Sequence, residues 1–249
     1  MTNSKSSKTT LTGNLVHEVS SLIRHKILTL PALKPLDNPH PIVENEDVFI
    51  INEMNRCKGL RKVHLETGYT KNIEVMHCVF FPNPEYPLPI FGADIVATPK
   101  LITAAICDIS PVHNASSIYY GLDIIASQYK FKERRQLPEW ADIFSDYVQF
   151  MRIRDDKEKN MFVELVSRYI DIYIEHVYGA EKDKNWINTM KRMDDQIWYC
   201  KQQRQNKKTK AVLGQWFDPE WADDYINNTL FDVPNRNWQW WMSMYLLTN

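Results

Sequence analysis

The chain is poor in glycine, with seven in 249 residues, and neither G-x-G-x-x-G nor G-x-x-x-x-G-K-[ST] occurs. A dinucleotide or nucleoside triphosphate therefore lacks the usual backbone cradle for its phosphates. G-x-S-x-G is missing too, which removes the nucleophile elbow of α/β-hydrolases. The four cysteines, Cys57, Cys78, Cys107 and Cys200, show no C-x-x-C and no paired spacing. That argues against zinc or iron–sulfur ligation and fits reduced thiols in a cytoplasmic protein. No apolar run reaches the ~18 residues needed to span a membrane. Charge of one sign is not in excess: 30 Lys and Arg stand against 31 Asp and Glu, a formal net charge of −1. Wholesale nucleic-acid binding is therefore not expected. The opening MTNSKSSKTTLTGN has no hydrophobic stretch of a secretory signal. Residues 1–13 are expected to be a disordered polar tail, followed by one domain over 14–249.

Apolar residues make up 44% of the chain and aromatic ones 12%, enough for a sizeable core. Residues 14–29 read as an amphipathic helix with Leu15, Val19, Leu22 and Ile23 on one stripe. Pro31, Pro35, Pro39 and Pro41 then impose an extended strap. Strands are expected at 48–54, 60–67, 73–81, 90–97 and 101–109, with connectors too short for crossover helices, which implies an antiparallel meander. A helix over 117–128, a short helix after Pro138 and an edge strand at 147–153 follow. After Asp156 the period becomes helical, with Phe162, Leu165, Val166, Tyr169, Ile170, Tyr173 and Val177 on one face, then Trp186, Met190, Met193, Ile197 and Cys200 on the next helix. Asp218-Pro219 reads as an N-cap and first-turn proline opening a last helix to about Leu230. Trp238, Trp240 and Trp241 are expected to pack on the sheet. Strands first and helices after define an α+β domain, a sheet covered by helices.

Three of the first four expected core strands carry ionisable groups among apolar neighbours. The period of two puts His64 and Glu66 on one face, His77 with Val75 and Val79, and Asp94 with Gly92 and Val96. A buried charge costs several kcal/mol unless it is paired or neutralised. Three readings are open on these residues alone. Each group can be satisfied separately by hydrogen bonds within the sheet. The two histidines and two carboxylates can hold iron, manganese or zinc. Or they can move protons to an organic substrate, since a carboxylic acid on an apolar face keeps its proton near neutral pH and couples to a neighbouring imidazole. Residues 201–210 (KQQRQNKKTK) hold five basic groups and no acid. They can be a solvated helix end, a docking patch for an acidic partner, or an anchor for anionic substrate groups.

The run HCVFFPNPEYPLPIFGADIVATPKLITAAICDISPVH (His77 to His113), LRKVHLETG before it and QQRQNKKTKAVLGQWF…WADDYINNTLFDV after it closely resemble the ferredoxin-dependent bilin reductases, collinearly from about residue 45 to 233. The resemblance implies a three-layer α/β/α sandwich with a central antiparallel sheet, monomeric, with no bound flavin, nicotinamide or metal. It also implies that electrons come one at a time from an acidic [2Fe–2S] ferredoxin. A histidine and a glutamate at His77 and Glu66 mark the branch that makes phycocyanobilin from biliverdin IXα; sister enzymes making phycoerythrobilin or phytochromobilin usually lack that pair. Carried over, Asp94 and His77 would contact the lactam oxygens and supply protons, Glu66 would protonate the D-ring vinyl group, and His64 would join the proton network. Arg152, Lys208 and Thr103 would hold the propionates, and Asn206 matches an asparagine of the phycocyanobilin branch. The 201–210 stretch with Arg56, Lys58, Arg61 and Lys62 would dock ferredoxin. The usual Asn-Asp-Lys-Thr reads Asn206-Lys207-Lys208-Thr209 here, reversing a charge beside the substrate edge.

Overall fold

The computed structural model describes residues 15–235; the tail of residues 1–13 and Trp238, Trp240 and Trp241 lie outside them. Alternating apolar residues form five long strands, β3 (Val48–Cys57), β4 (Leu60–Thr70), β5 (Glu74–Pro82), β6 (Ile90–Thr98) and β7 (Leu101–Ser110), joined as an antiparallel meander. Each of these expected strands is present, four of them slightly longer and β5 shifted by one residue. The strap contributes β1 (Lys34–Pro35) and β2 (Ile42–Glu44), which both pair with the outer side of β3. That covers an edge that would otherwise expose a row of unpaired amides. The expected strand at 147–153 is β9 (Gln149–Ile153), placed on β7, with β8 (Glu133–Arg134) beyond it.

Helices cover both faces. On one side lie α1 (Leu15–Ile27), α2 (Tyr119–Ser127) and α3 (Asp156–Gly179). Leu15, Val16, Val19 and Ile23 of α1 and Phe162, Leu165, Val166, Tyr169, Ile170, Tyr173 and Val177 of α3 are fully buried against Val63, Leu65, Cys78, Phe80 and Phe91 of the sheet. Each such side chain contributes about 1.5–3 kcal/mol of burial. Asp155 caps α3 by accepting from the Glu158 amide at 2.9 Å. On the other side lie α4 (Trp186–Gln203), α5 (Lys207–Trp216) and α6 (Pro219–Tyr225), followed by one wide turn over Ile226–Leu230. Asp218 caps α6 through the Glu220 and Trp221 amides, with Pro219 in its first turn. This is an α+β three-layer sandwich. Among the described residues no helix is long and apolar enough to cross a membrane.

Two expectations fail. Residues after Pro138 form successive turns rather than a helix: buried Asp108 draws in the Ser145 amide (3.1 Å) and hydroxyl (2.5 Å) and breaks the segment up. The buried face of α4 is also rotated from the apolar stripe. Trp186 is exposed, whereas Arg192 and Gln196 are fully buried because they donate to the carbonyls of Pro84, in the β5–β6 connector, and Pro82, at the end of β5.

Candidate active site

Strand register brings the sequence-predicted residues together. Asn52, Glu66, His77, Asp94, Ile106 and Phe150 are successive cross-strand partners from β3 to β9, one row on one face. The next row on that face runs Met54, His64, Val79, Gly92, Asp108. Neighbouring strands are about 4.8 Å apart, so four ionisable side chains converge without any loop contributing. Helices α4–α6 cover Ile50, Val79, Phe81 and Ile90 on this face. The stretch around Asp94, Val96, Ile106 and Phe150 stays partly open: the Asp94 side chain is 43% exposed, against 5% for the residue Glu66.

His77 Nδ1 donates to Asp94 Oδ1 at 2.6 Å, and its buried Nε2 has no protein partner. Burial is the largest influence on His77 and pulls its pKa down, but Asp94 and Glu66 on either side outweigh it and hold the imidazole above its ordinary value. His64, fully buried beside Lys62 and His77, is pushed well below the ordinary histidine value by burial first and those cations second, and is neutral. Its ring meets His77 edge-on at 5.8 Å, and His77 in turn abuts Phe231 at 5.3 Å. Burial raises Glu66, and the opposing pull of the His77 and Lys62 charges does not cancel it. The two rows thus offer a buried carboxyl and an imidazole that both hold their protons more tightly than usual, a half-exposed Asp94 side chain tied to that imidazole, and a neutral imidazole beside them. Such a set can deliver protons one after another to a molecule lying on the open stretch. Among the described residues no three His, Cys, Asp or Glu side chains converge in metal-holding geometry.

The remaining expected residues lie around this face. Arg152 sits two residues beyond Phe150 and pairs with Glu133 at 3.1 Å, its buried Nε unpartnered. Thr103 donates its hydroxyl to the Val96 carbonyl at 3.0 Å. Asn206 caps α5 through the Lys208 and Thr209 amides, leaving Lys208 exposed in the first turn. Lys62 is a correction: it is 3% exposed, held by Asp232 and by the Thr229 carbonyl at 2.6 Å, and is not part of any docking surface. A bulge at Arg61 turns that residue to the same side, onto Asp232 at 2.6 Å and over Phe81. Arg204 likewise points inward, to the Asn227 and Phe231 carbonyls. Arg56, Lys58, Lys201, Lys207 and Lys208 remain exposed.

Sequence reasoning missed three residues. Asn52 and Tyr225 complete the hydrogen-bond network under Glu66. Arg135 stacks on Phe150 at 4.9 Å and donates to the Thr103 carbonyl at 2.8 Å. Asn52 carried a signal, being a polar residue at an inward position of β3; Tyr225 and Arg135 carried none.

Comparison with known proteins shows the family. The sequence profile of the ferredoxin-dependent bilin reductases matches residues 14–232. Phycocyanobilin:ferredoxin oxidoreductase of Prochlorococcus marinus strain MIT 9313 is 40% identical over 230 residues, 88% of this chain and 87% of the relative. The enzyme of the same name from Synechococcus sp. strain CC9902 is 40% identical over 230 residues, covering 88% and 93%. In fold, the chain is similar to phytochromobilin synthase from tomato, solved in complex with biliverdin, with a TM-score of 0.78 at 16% identity over 90% of this chain and 88% of that one. With a family profile spanning nearly all described residues and relatives 40% identical along most of their length, this chain belongs to the ferredoxin-dependent bilin reductases.

Proposed function

We propose that the chain reduces biliverdin IXα by four electrons to phycocyanobilin, the D-ring vinyl group first and the A ring second. The observation that carries this reading is the register of Glu66, His77 and Asp94, three ionisable groups side by side in one row that runs from the covered to the partly open part of the face. The names of the 40%-identical relatives support the product, and the biliverdin bound by tomato phytochromobilin synthase supports the substrate.

Each ring reduction takes two electrons and two protons. A [2Fe–2S] ferredoxin delivers electrons singly, so a bilin radical forms after the first and must be protonated before the second arrives. The proton donor has to keep its proton until then, which is what burial does for Glu66 and what flanking carboxyls do for His77. Asp94 and His77 hold the lactam oxygens, and Glu66 serves the D-ring vinyl group. The apolar stretch of Val96, Ile106 and Phe150 takes the tetrapyrrole plane. Arg152 and Lys208 take the propionates, with Arg135, stacked on Phe150, as a further cation, guanidinium groups binding carboxylates in bidentate fashion. Asn206 fixes the first turn of α5 that carries Lys208, and the Thr103 hydroxyl ties β7 to β6.

Asp94→Asn should bind biliverdin nearly as tightly as the parent while losing at least ~100-fold in turnover, the usual worth of a positioned acid. Spectrophotometric titration and anaerobic assay separate the two effects. Full activity in Asp94→Asn contradicts the assignment.

A further inference from the structure

We infer that Asn52 and Tyr225 are positioning residues that fix the direction of a hydrogen-bond chain, so that the hydrogen of the Glu66 carboxyl points at Tyr225. Asn52 Nδ2 donates to the His40 carbonyl at 2.8 Å, which settles the amide orientation and turns Oδ1 toward the site. An amide oxygen only accepts. It accepts from His64 Nε2 at 2.7 Å and from the Tyr225 hydroxyl at 2.8 Å. The phenol has a single hydrogen, and Asn52 takes it. Yet the Tyr225 oxygen also lies 2.6 Å from Glu66 Oε2, a separation that needs a hydrogen between the two. The one remaining is that of Glu66 itself.

With the opposite polarity, Tyr225 donating to a Glu66 carboxylate, the Tyr225 and Asn52 oxygens would face each other buried at 2.8 Å with no hydrogen between them. Inside a protein that arrangement is costly. The same polarity accounts for His64: its hydrogen is on Nε2, leaving buried Nδ1 bare. The other charged or titratable groups facing Glu66 are Lys62 and His64 on its own strand, His77 on β5 and Asp94 on β6. Burial acts on Glu66 in the same direction as the chain. The inference deepens the proposed function, resting on Glu66 as a proton donor for its consequence; its test needs no substrate.

The test is infrared difference spectroscopy of the substrate-free full chain, with Glu66→Gln identifying the protonated carboxyl stretch of Glu66, followed against pH. The band should be present at neutral pH. Tyr225→Phe removes the acceptor of the Glu66 hydrogen, so the band should titrate away at lower pH, proton affinity falling about tenfold, the size of one ordinary hydrogen bond. Asn52→Leu frees the Tyr225 hydrogen to turn toward Glu66 and should lower the midpoint as well. Absence of the Glu66 band at neutral pH overturns the inference. So does a raised or unchanged midpoint in Tyr225→Phe, the raised value being that of a tyrosine that donates. Should Tyr225→Phe not fold, Asn52→Leu decides: an unchanged midpoint contradicts the polarity. Absence of biliverdin reduction by the parent chain, with these midpoints as expected, would sink the functional reading and leave the inference standing.

Discussion

His77 stands between Glu66 and Asp94 in a single row, and the stability of the fold depends on their protons. Glu66 and His77 both bind a proton more tightly in the folded chain than in the unfolded one. Groups raised in this way contribute stability that is complete below their unfolded values and is lost as pH rises through their folded ones. The site should therefore weaken the fold on the alkaline side. Glu66→Gln removes one ionisation, so its melting temperature should match the parent in mild acid and exceed it in mild alkali. Parallel melting profiles across that range would show that Glu66 is not proton-bound. His64, Glu66, His77 and Asp94 were legible in the sequence because a period of two fixes the face of each side chain. Their partners were not, since 159 residues separate Glu66 from Tyr225 and only the packing of α6 on the sheet joins them.

At the scale of elements, the meander was readable because its connectors are too short for anything else. Helix faces were harder. The apolar stripe of α4 misled because Arg192 and Gln196 bury themselves on backbone carbonyls, and the turns after Pro138 follow from Asp108, a residue on another strand. Asn206 illustrates a residue with a structural job in the position of a substrate contact. Asn206→Ala should cost about 1 kcal/mol through loss of the α5 cap, whereas Asn206→Asp keeps the cap; chemical denaturation of both variants checks this. Lys62 and Arg61 hold Asp232 and with it the segment that lays Phe231 against His77. Asp232→Asn should destabilise the chain by about 2 kcal/mol, below the ~3–5 typical of a broken buried pair, because Lys62 keeps the Thr229 and Leu230 carbonyls. No change in the denaturation midpoint would contradict that clamp.

Over the whole molecule, the near-zero net charge hides a local excess of cations. Of the cations expected to dock ferredoxin, Arg56, Lys58, Lys201, Lys207 and Lys208 are exposed, whereas Lys62, Arg61 and Arg204 face inward. Sequence composition located the basic stretch but not which of its members face water, since that depends on where Asp232 and Phe231 lie. Lys207→Glu should raise the KM for ferredoxin several-fold at low ionic strength and have less effect in high salt, where surface charges are screened beyond about 10 Å. Steady-state kinetics at two salt concentrations measures this, and a salt-independent effect would place Lys207 outside the docking field.

The most direct test of the central claim is an anaerobic turnover of biliverdin IXα with reduced ferredoxin and the full chain, followed by absorbance and product chromatography. Phycocyanobilin is the expected product, and in Glu66→Gln the D-ring vinyl group should survive. Phycoerythrobilin from the parent chain, or tight binding of biliverdin with no reduction, would contradict the account.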